Sequence, residues 1–278
     1  MSAVNIIEIE NLSCSYSRDT KEAVLYIEKL GLPKGKIVFL LGASGSGKST
    51  LLETLGLMNN TIATGTVKLY DNNTLSCDFG LLWKNNNLDE ISSIRRHYLS
   101  FIFQNTNLME NFTAYENICL SKMIKTNSGL YQAVDGAVSL MKQVGLPLNE
   151  VGLDKVSVNL SGGQRQRVSF VRALNNDYKI LLCDEPTGNL DEINAIELLK
   201  IVKDNIGSER TAIVVSHDIN LALKYADQIV LITKNEEKGY GEVLQENIFY
   251  REQWSALDEN ALLQFRKQFL ACFMSKTR

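Results

Sequence analysis

The chain has 278 residues, 45% hydrophobic and 22% charged with only 3 prolines, which excludes a disordered or low-complexity chain and leaves one large domain or two small ones. Lysine and arginine number 29 against 32 acidic residues, a net charge of −3, so no global field holds nucleic acid or an anionic membrane. Cys14, Cys77, Cys119, Cys183 and Cys272 are scattered and only two histidines are present, which argues against a disulfide framework or a zinc knuckle and fits a reducing compartment.

The start, Met1–Glu8, lacks a basic segment followed by an apolar one, and no apolar run approaches a spanning helix. The expectation is a cytoplasmic chain with no direct membrane insertion, held at the membrane only through a partner. Asn5–Tyr16 and Thr66–Asp71 alternate in polarity, which predicts an antiparallel flank. Between them Ile37–Leu41 is a short apolar strand and Lys48–Met58 a helix. Asp71–Leu88, with Asn72-Asn73 and Asn85-Asn86-Asn87, is polar and poorly periodic, and reads as a surface excursion. After the strand Leu99–Phe103, residues from about 105 to 163 are mainly helical and interrupt the alternation, as an inserted subdomain does. The alternation resumes with helix Gln164–Leu174, strand Ile180–Cys183, helix Ile193–Asn205, strand Ala212–Val215, helix Asn220–Ala226 and strand Ile229–Ile232. Nearly continuous apolar strands between helices predict a parallel sheet covered on both faces. At the end, Leu262, Phe265, Phe269 and Phe273 recur at helical spacing with Arg266, Lys267 and Lys276 around them, which predicts an amphipathic helix docked on its own domain, a partner contact being the next reading.

The chemistry lies at the strand ends. Gly42-Ala43-Ser44-Gly45-Ser46-Gly47-Lys48-Ser49, followed by Thr50, matches G-x-x-x-x-G-K-S between a strand and a helix. Glycines let backbone N–H groups close around phosphate oxygens, and the helix N-terminus adds a favourable dipole. Lys48 then reaches the β- and γ-phosphates and Ser49 offers a hydroxyl to Mg²⁺. The apolar strand Ile180–Cys183 ends in Asp184-Glu185: the first is positioned to hold Mg²⁺ through water, the second to activate the attacking water. Ser161-Gly162-Gly163-Gln164 opens a helix as a second anion nest, and Ser161 is also a simple N-cap there.

With Leu160-Ser161-Gly162-Gly163-Gln164 in place, the sequence resembles the nucleotide-binding subunits of ABC transporters from about Ile6 to Leu244. The resemblance implies ATP and Mg²⁺ as ligands and further roles: Gln104 as the Q-loop glutamine on Mg²⁺ and water, Asp191 in the D-loop, His217 as the switch histidine on the γ-phosphate, and Tyr16 as the aromatic that stacks on adenine. It implies an α/β P-loop NTPase (RecA-like) core over about 1–104 and 164–245, with an antiparallel β flank, an inserted α-helical subdomain over about 105–163 and a C-terminal helical extension over 246–278. His97 has no such support and reads as a solvated residue.

Arg95-Arg96 and Asp184-Glu-Pro-Thr-Gly-Asn-Leu-Asp191 look most like the ATPases of lipoprotein-release, macrolide-export and cell-division complexes. Val156-Ser-Val-Asn159 lacks a proline frequent before the signature, and Tyr178 replaces another before the strand that ends in Asp184-Glu185; neither position does chemistry. The family implies a head-to-tail pair with a second copy or a homologous ATPase: Lys48, Gln104, Glu185 and His217 of one chain face Ser161 and Gly163 of the other across ATP. It also implies a transmembrane permease subunit, docked on the segment after Gln104 that includes Asn107–Glu116. Driving a membrane complex that regulates an extracytoplasmic enzyme is the alternative to transport.

Overall fold

The computed structural model describes residues 4–17, 22–127, 129–146, 154–188 and 190–274. Strand β1 (Asn5–Cys14) pairs antiparallel with β2 (Leu25–Pro33), which leads to β3 (Ile37–Gly42) and helix α1 (Lys48–Leu55). Then follow β4 (Ile62–Asp71), β5 (Thr74–Asp78), α2 (Phe79–Lys84), α3 (Leu88–Tyr98) and β6 (Leu99–Ile102). Helices α4 (Ala114–Thr126) and α5 (Leu130–Gln143) form the inserted helical part, before α6 (Gly162–Leu174), β7 (Ile180–Asp184), α7 (Glu192–Ile206), β8 (Thr211–Val215), α8 (Ile219–Tyr225) and β9 (Gln228–Lys234). The chain closes with β10 (Gly241–Val243), β11 (Ile248–Tyr250) and α9 (Glu259–Met274).

Among the described residues the strands make one 11-stranded sheet in the order β5-β4-β1-β2-β10-β9-β3-β8-β7-β6, with β11 on β9. Strands β9, β3, β8, β7 and β6 are mutually parallel, while β5, β4, β1 and β2 form the antiparallel flank. The parallel strands read as continuous apolar runs because both faces are buried. Ile37, Phe39 and Leu41 join one core with Leu181, Val214 and the helices α4 to α9, while Val38 and Leu40 join a second core beneath the antiparallel flank and α1. The fold is the predicted α/β arrangement with its antiparallel flank and helical insertion.

The surface excursion Asp71–Leu88 carries regular structure, β5 and α2, that its polar, poorly periodic sequence did not announce. Asn72 and Asn73 both have positive φ, 47° and 65°, and turn β4 into β5, since asparagine tolerates the left-handed region that such a hairpin turn requires. Asp78 and Asn87 then cap α2 and α3 by accepting backbone N–H groups, and Phe79 and Leu82 are buried. The polar residues that obscured the periodicity are the turn and cap residues of an ordered excursion.

Helix α9 docks on its own domain. Phe269 is buried and, with Leu262 and Phe265, packs on the core; its ring meets Phe249 edge to face at 5.1 Å. The side chain of Phe273 lies outside the described residues. Trp254, also buried, donates its indole N–H to Leu223 O at 3.0 Å and lies under Phe265.

Candidate nucleotide site

Parallel strands direct all their C-terminal ends to one edge, where ligands of open α/β sheets bind. Adjacent strands β3, β8, β7 and β6 deliver four sequence-predicted groups to that edge: the loop Gly42–Ser49, His217, Asp184-Glu185 and Gln104.

The loop is shaped by close approach and by handedness. A Cβ at Gly42 would lie 2.5 Å from Ile232 O and from Ser46 Oγ, and Gly47 sits at φ 95°, where a side chain is strained. Gly47 gives α1 no side-chain cap, which leaves the first-turn N–H groups directed into the loop and available to phosphate oxygens. Ser46, Lys48 and Thr50 are buried, whereas Ser44, Gly45 and Ser49 are exposed and Ala43 is half-buried. The Lys48 ammonium lies across the loop, donating to Gly42 O at 2.8 Å and Ala43 O at 2.7 Å. Burial pulls it below the ordinary lysine range, and the carboxylates of Glu185 and Asp184 push it back up.

Opposite the loop, Asp184 ends β7, and burial and the neighbouring carboxylates of Glu185 and Glu53 hold its carboxyl above the usual range, with Lys48 opposing. Glu185 adopts φ 44°, an uncommon value for a side-chain-bearing residue, and its N–H donates to Val215 O at 3.0 Å. Its carboxylate accepts from Gln104 Nε2 at 3.3 Å and lies 3.6 Å from His217 Nδ1. Two residues far apart in the chain, Gln104 and His217, therefore meet at the Glu185 carboxylate. Among the described residues no group of three or more His, Cys, Asp or Glu could hold a metal alone. A divalent cation at Asp184 and Ser49 would take phosphate oxygens as further ligands, which is how Mg²⁺ is usually held, and the raised carboxyl of Asp184 is the crowded negative charge that such an ion relieves.

Tyr16, a residue 57% exposed, stands beside this loop, and its hydroxyl is anchored by Glu53 Oε2 at 2.9 Å and Thr50 Oγ1 at 3.2 Å. Glu53 is a site residue the sequence reading missed, because an acidic residue on a helix surface carries no signal before the fold brings β1 beside α1.

Ser161 caps α6: its hydroxyl accepts Gln164 N–H at 3.3 Å while Gln164 Oε1 accepts Ser161 N–H at 3.0 Å. A Cβ at Gly162 or Gly163 would meet nothing within 4 Å, so this nest is open to an approaching body. Asp191 caps α7 through Asn194 N–H and is exposed. His97 is exposed, with Nδ1 2.8 Å from Ser93 O.

The ABC transporter family profile matches residues 28–188. The chain belongs to that family. The lipoprotein-releasing system ATP-binding protein LolD of Ehrlichia chaffeensis is 35% identical over 239 residues, covering 84% of this chain and 94% of that protein. LolD of Zymomonas mobilis subsp. mobilis is 37% identical over 237 residues, with the same coverage. The macrolide export ATP-binding/permease protein MacB of Haemophilus ducreyi is 33% identical over 228 residues, which cover 82% of this chain and 31% of that protein. Among solved structures, a dimeric ATP-binding cassette in a post-hydrolysis state, bound to ADP and Pi, superposes with TM-score 0.71 at 30% identity over 88% of this chain and 98% of that one. The chain is accordingly an ATP-binding, ATP-hydrolysing subunit of the ABC transporter class. Among the described residues no helix is long and apolar enough to cross a membrane.

Proposed function

We propose that this subunit drives a transmembrane permease of the motion-transmitting lipoprotein-release or macrolide-export type, by ATP-dependent pairing with a second copy or a homologous ATPase. The convergence of Gln104 and His217 on the Glu185 carboxylate, beside the phosphate loop, is the observation that carries the reading. In this mechanism Glu185 accepts the proton of the attacking water, Gln104 and His217 orient that water and the γ-phosphate, and Lys48 balances phosphate charge. Ser49, Asp184 and Gln104 would hold Mg²⁺, which would neutralise charge on the phosphates. Tyr16 stacks on adenine. Ser161 and Gly163 of the second copy complete the donor set on the γ-phosphate, so ATP joins two chains and hydrolysis releases them.

On this reading residues 1–245 are the ATPase domain, with a helical subdomain over about 105–163, and 246–278 is an extension. The chain itself sits on the cytoplasmic side. A groove of about 350 Å³ lined by Arg95, Phe101, Phe103, Met109, Ile124 and Lys125, with Met109 and Ile124 exposed, supports permease docking beside the Gln104 loop.

The test is to express Glu185→Gln in membranes of the source organism, add ATP and Mg²⁺, solubilise gently, and identify what co-purifies by mass spectrometry. A permease with a large extracytoplasmic domain is expected. Recovery of only soluble proteins or ribosomes would remove the membrane role and leave the ATPase chemistry.

A further inference from the structure

The loop that follows Gln104 is tied at two places to the segment that carries Ser161. At its far end lies Asn117, one turn into α4 and 1% exposed. Its Oδ1 accepts Met109 N–H at 2.9 Å, and its Nδ2 lies 2.8 Å from Ser157 Oγ, 3.0 Å from Thr113 O and 3.1 Å from Met109 O. Ser157, also 1% exposed, donates both its hydroxyl and its N–H to Phe112 O, each at 2.9 Å. Ala114 N–H completes the join by donating to Lys155 O at 3.0 Å, beside an isolated bridge between Thr113 and Val156. The 3₁₀ turn Ser157–Asn159 then runs through buried Leu160 directly into Ser161.

The near end of the loop is held from α6, the helix that Ser161 caps. Arg172, in α6, donates to Thr106 O at 2.7 Å and to Asn107 O at 2.8 Å. Between the two ties, the loop and the Ser161 segment line a common cavity of about 770 Å³ that includes Gln104, Glu110, Ser157, Gly163 and Gln166. Buried side-chain amides bonded to backbone on several sides act as rigid joints, because breaking one bond leaves an unsatisfied buried group.

We infer that Asn117 and Ser157 form a staple, seconded by Arg172, that makes the Gln104 loop and the Ser161 nest one rigid body, so that Asn117 and Ser157 are positioning residues for the nest in ATP-driven pairing. This rests on the pairing reading given above. The staple touches neither the phosphate loop nor Glu185, so binding of ATP to one chain is independent of it. The apposition of the nest to a second chain depends on it. A displacement applied to exposed Met109 is carried by hydrogen bonds through buried Asn117 and Ser157 and then along the short turn into Ser161.

The test compares Asn117→Ala and Ser157→Ala in the full chain, well below their melting temperatures. ATP affinity of the single chain, read with a fluorescent ATP analogue, is expected within about threefold of the parent. ATP-driven pairing in a Glu185→Gln background, read by analytical ultracentrifugation, is expected to weaken at least tenfold, and kcat with the native Glu185 to fall in parallel. A merely structural role lowers the melting temperature of both variants and leaves pairing within twofold; that result overturns the inference. Should the parent Glu185→Gln chain itself not pair with ATP, the underlying reading fails instead, and the two failures are thus distinct. Where Asn117→Ala does not fold, native-state hydrogen exchange on the unsubstituted chain decides. The amides of Ala114 and Ser157, which cross the join, are expected to open together, and protection factors that differ tenfold or more would refute a single rigid body.

Discussion

Glu185→Gln is the most informative single substitution. The amide is isosteric with the carboxylate, so the φ of 44° and the backbone bond to Val215 persist, and Gln104 and His217 keep a polar neighbour within reach. What is lost is the ability to accept a proton, and general-base catalysis contributes about a hundredfold to ten-thousandfold. That is about 3–5 kcal/mol on the barrier, with each tenfold worth about 1.4 kcal/mol. ATP binding should hold or tighten. The substitution removes one negative charge beside the phosphates, and the carboxyl of Asp184, which Glu185 helps to raise, should drop toward its ordinary range. Steady-state phosphate release gives kcat, equilibrium titration gives affinity, and size-exclusion chromatography with light scattering in ATP and Mg²⁺ reports the pair. A Glu185→Gln chain that retains more than a tenth of parental turnover would refute the assignment of the proton acceptor. Full loss of turnover together with a tenfold loss of affinity would instead assign Glu185 to binding.

Other perturbations separate binding, charge and packing. Lys48→Ala removes a buried ammonium; with charged hydrogen bonds worth about 1.5–3 kcal/mol, ATP affinity should fall roughly tenfold to a hundredfold, and unchanged affinity by calorimetry would place the phosphates elsewhere. Asp184→Asn should abolish hydrolysis yet leave the fold at least as stable at pH 7. Because its folded-state pKa is raised above 3.8, Asp184 favours the fold below that value and loses that contribution as pH rises through the raised pKa, so the carboxylate opposes folding at neutral pH. Thermal melts should show the advantage of Asp184→Asn shrink as pH falls toward 4, and a lower melting temperature than the parent at pH 7 would contradict this. Phe269→Ala, at a position 2% exposed, should cost about 3–5 kcal/mol, read as a fall in melting temperature of about 6 °C or more; a change below about 1 °C would mean that α9 does not stabilise the domain.

Much of the site was legible from residue order, because the phosphate loop, the paired acids and the Ser-Gly-Gly nest are local features whose chemistry is set by contiguous backbone. The parallel strands were legible for a related reason: burial on both faces writes itself as unbroken apolar runs such as Ile37–Leu41. The strand β2 was passed over, since the mixed pattern of Leu25–Pro33 reflects a position between antiparallel β1 and parallel β10 that no local window contains. The excursion after Asp71 was likewise read too loosely, its asparagines being turn and cap residues that interrupt any helical or alternating period.

Sequence alone determined the phosphate loop, the carboxylate pair, the signature nest and the alternation that makes an α/β sheet, all of which depend on neighbours a few residues apart. Only the tertiary structure decided that Gln104 and His217 meet at Glu185, that Glu53 anchors Tyr16, and that Asn117 reaches Ser157 across 40 positions. Those contacts join side chains from different strands and helices. Their distances are fixed by how parallel strands align their ends and how helices pack on the sheet, which no stretch of neighbouring residues encodes.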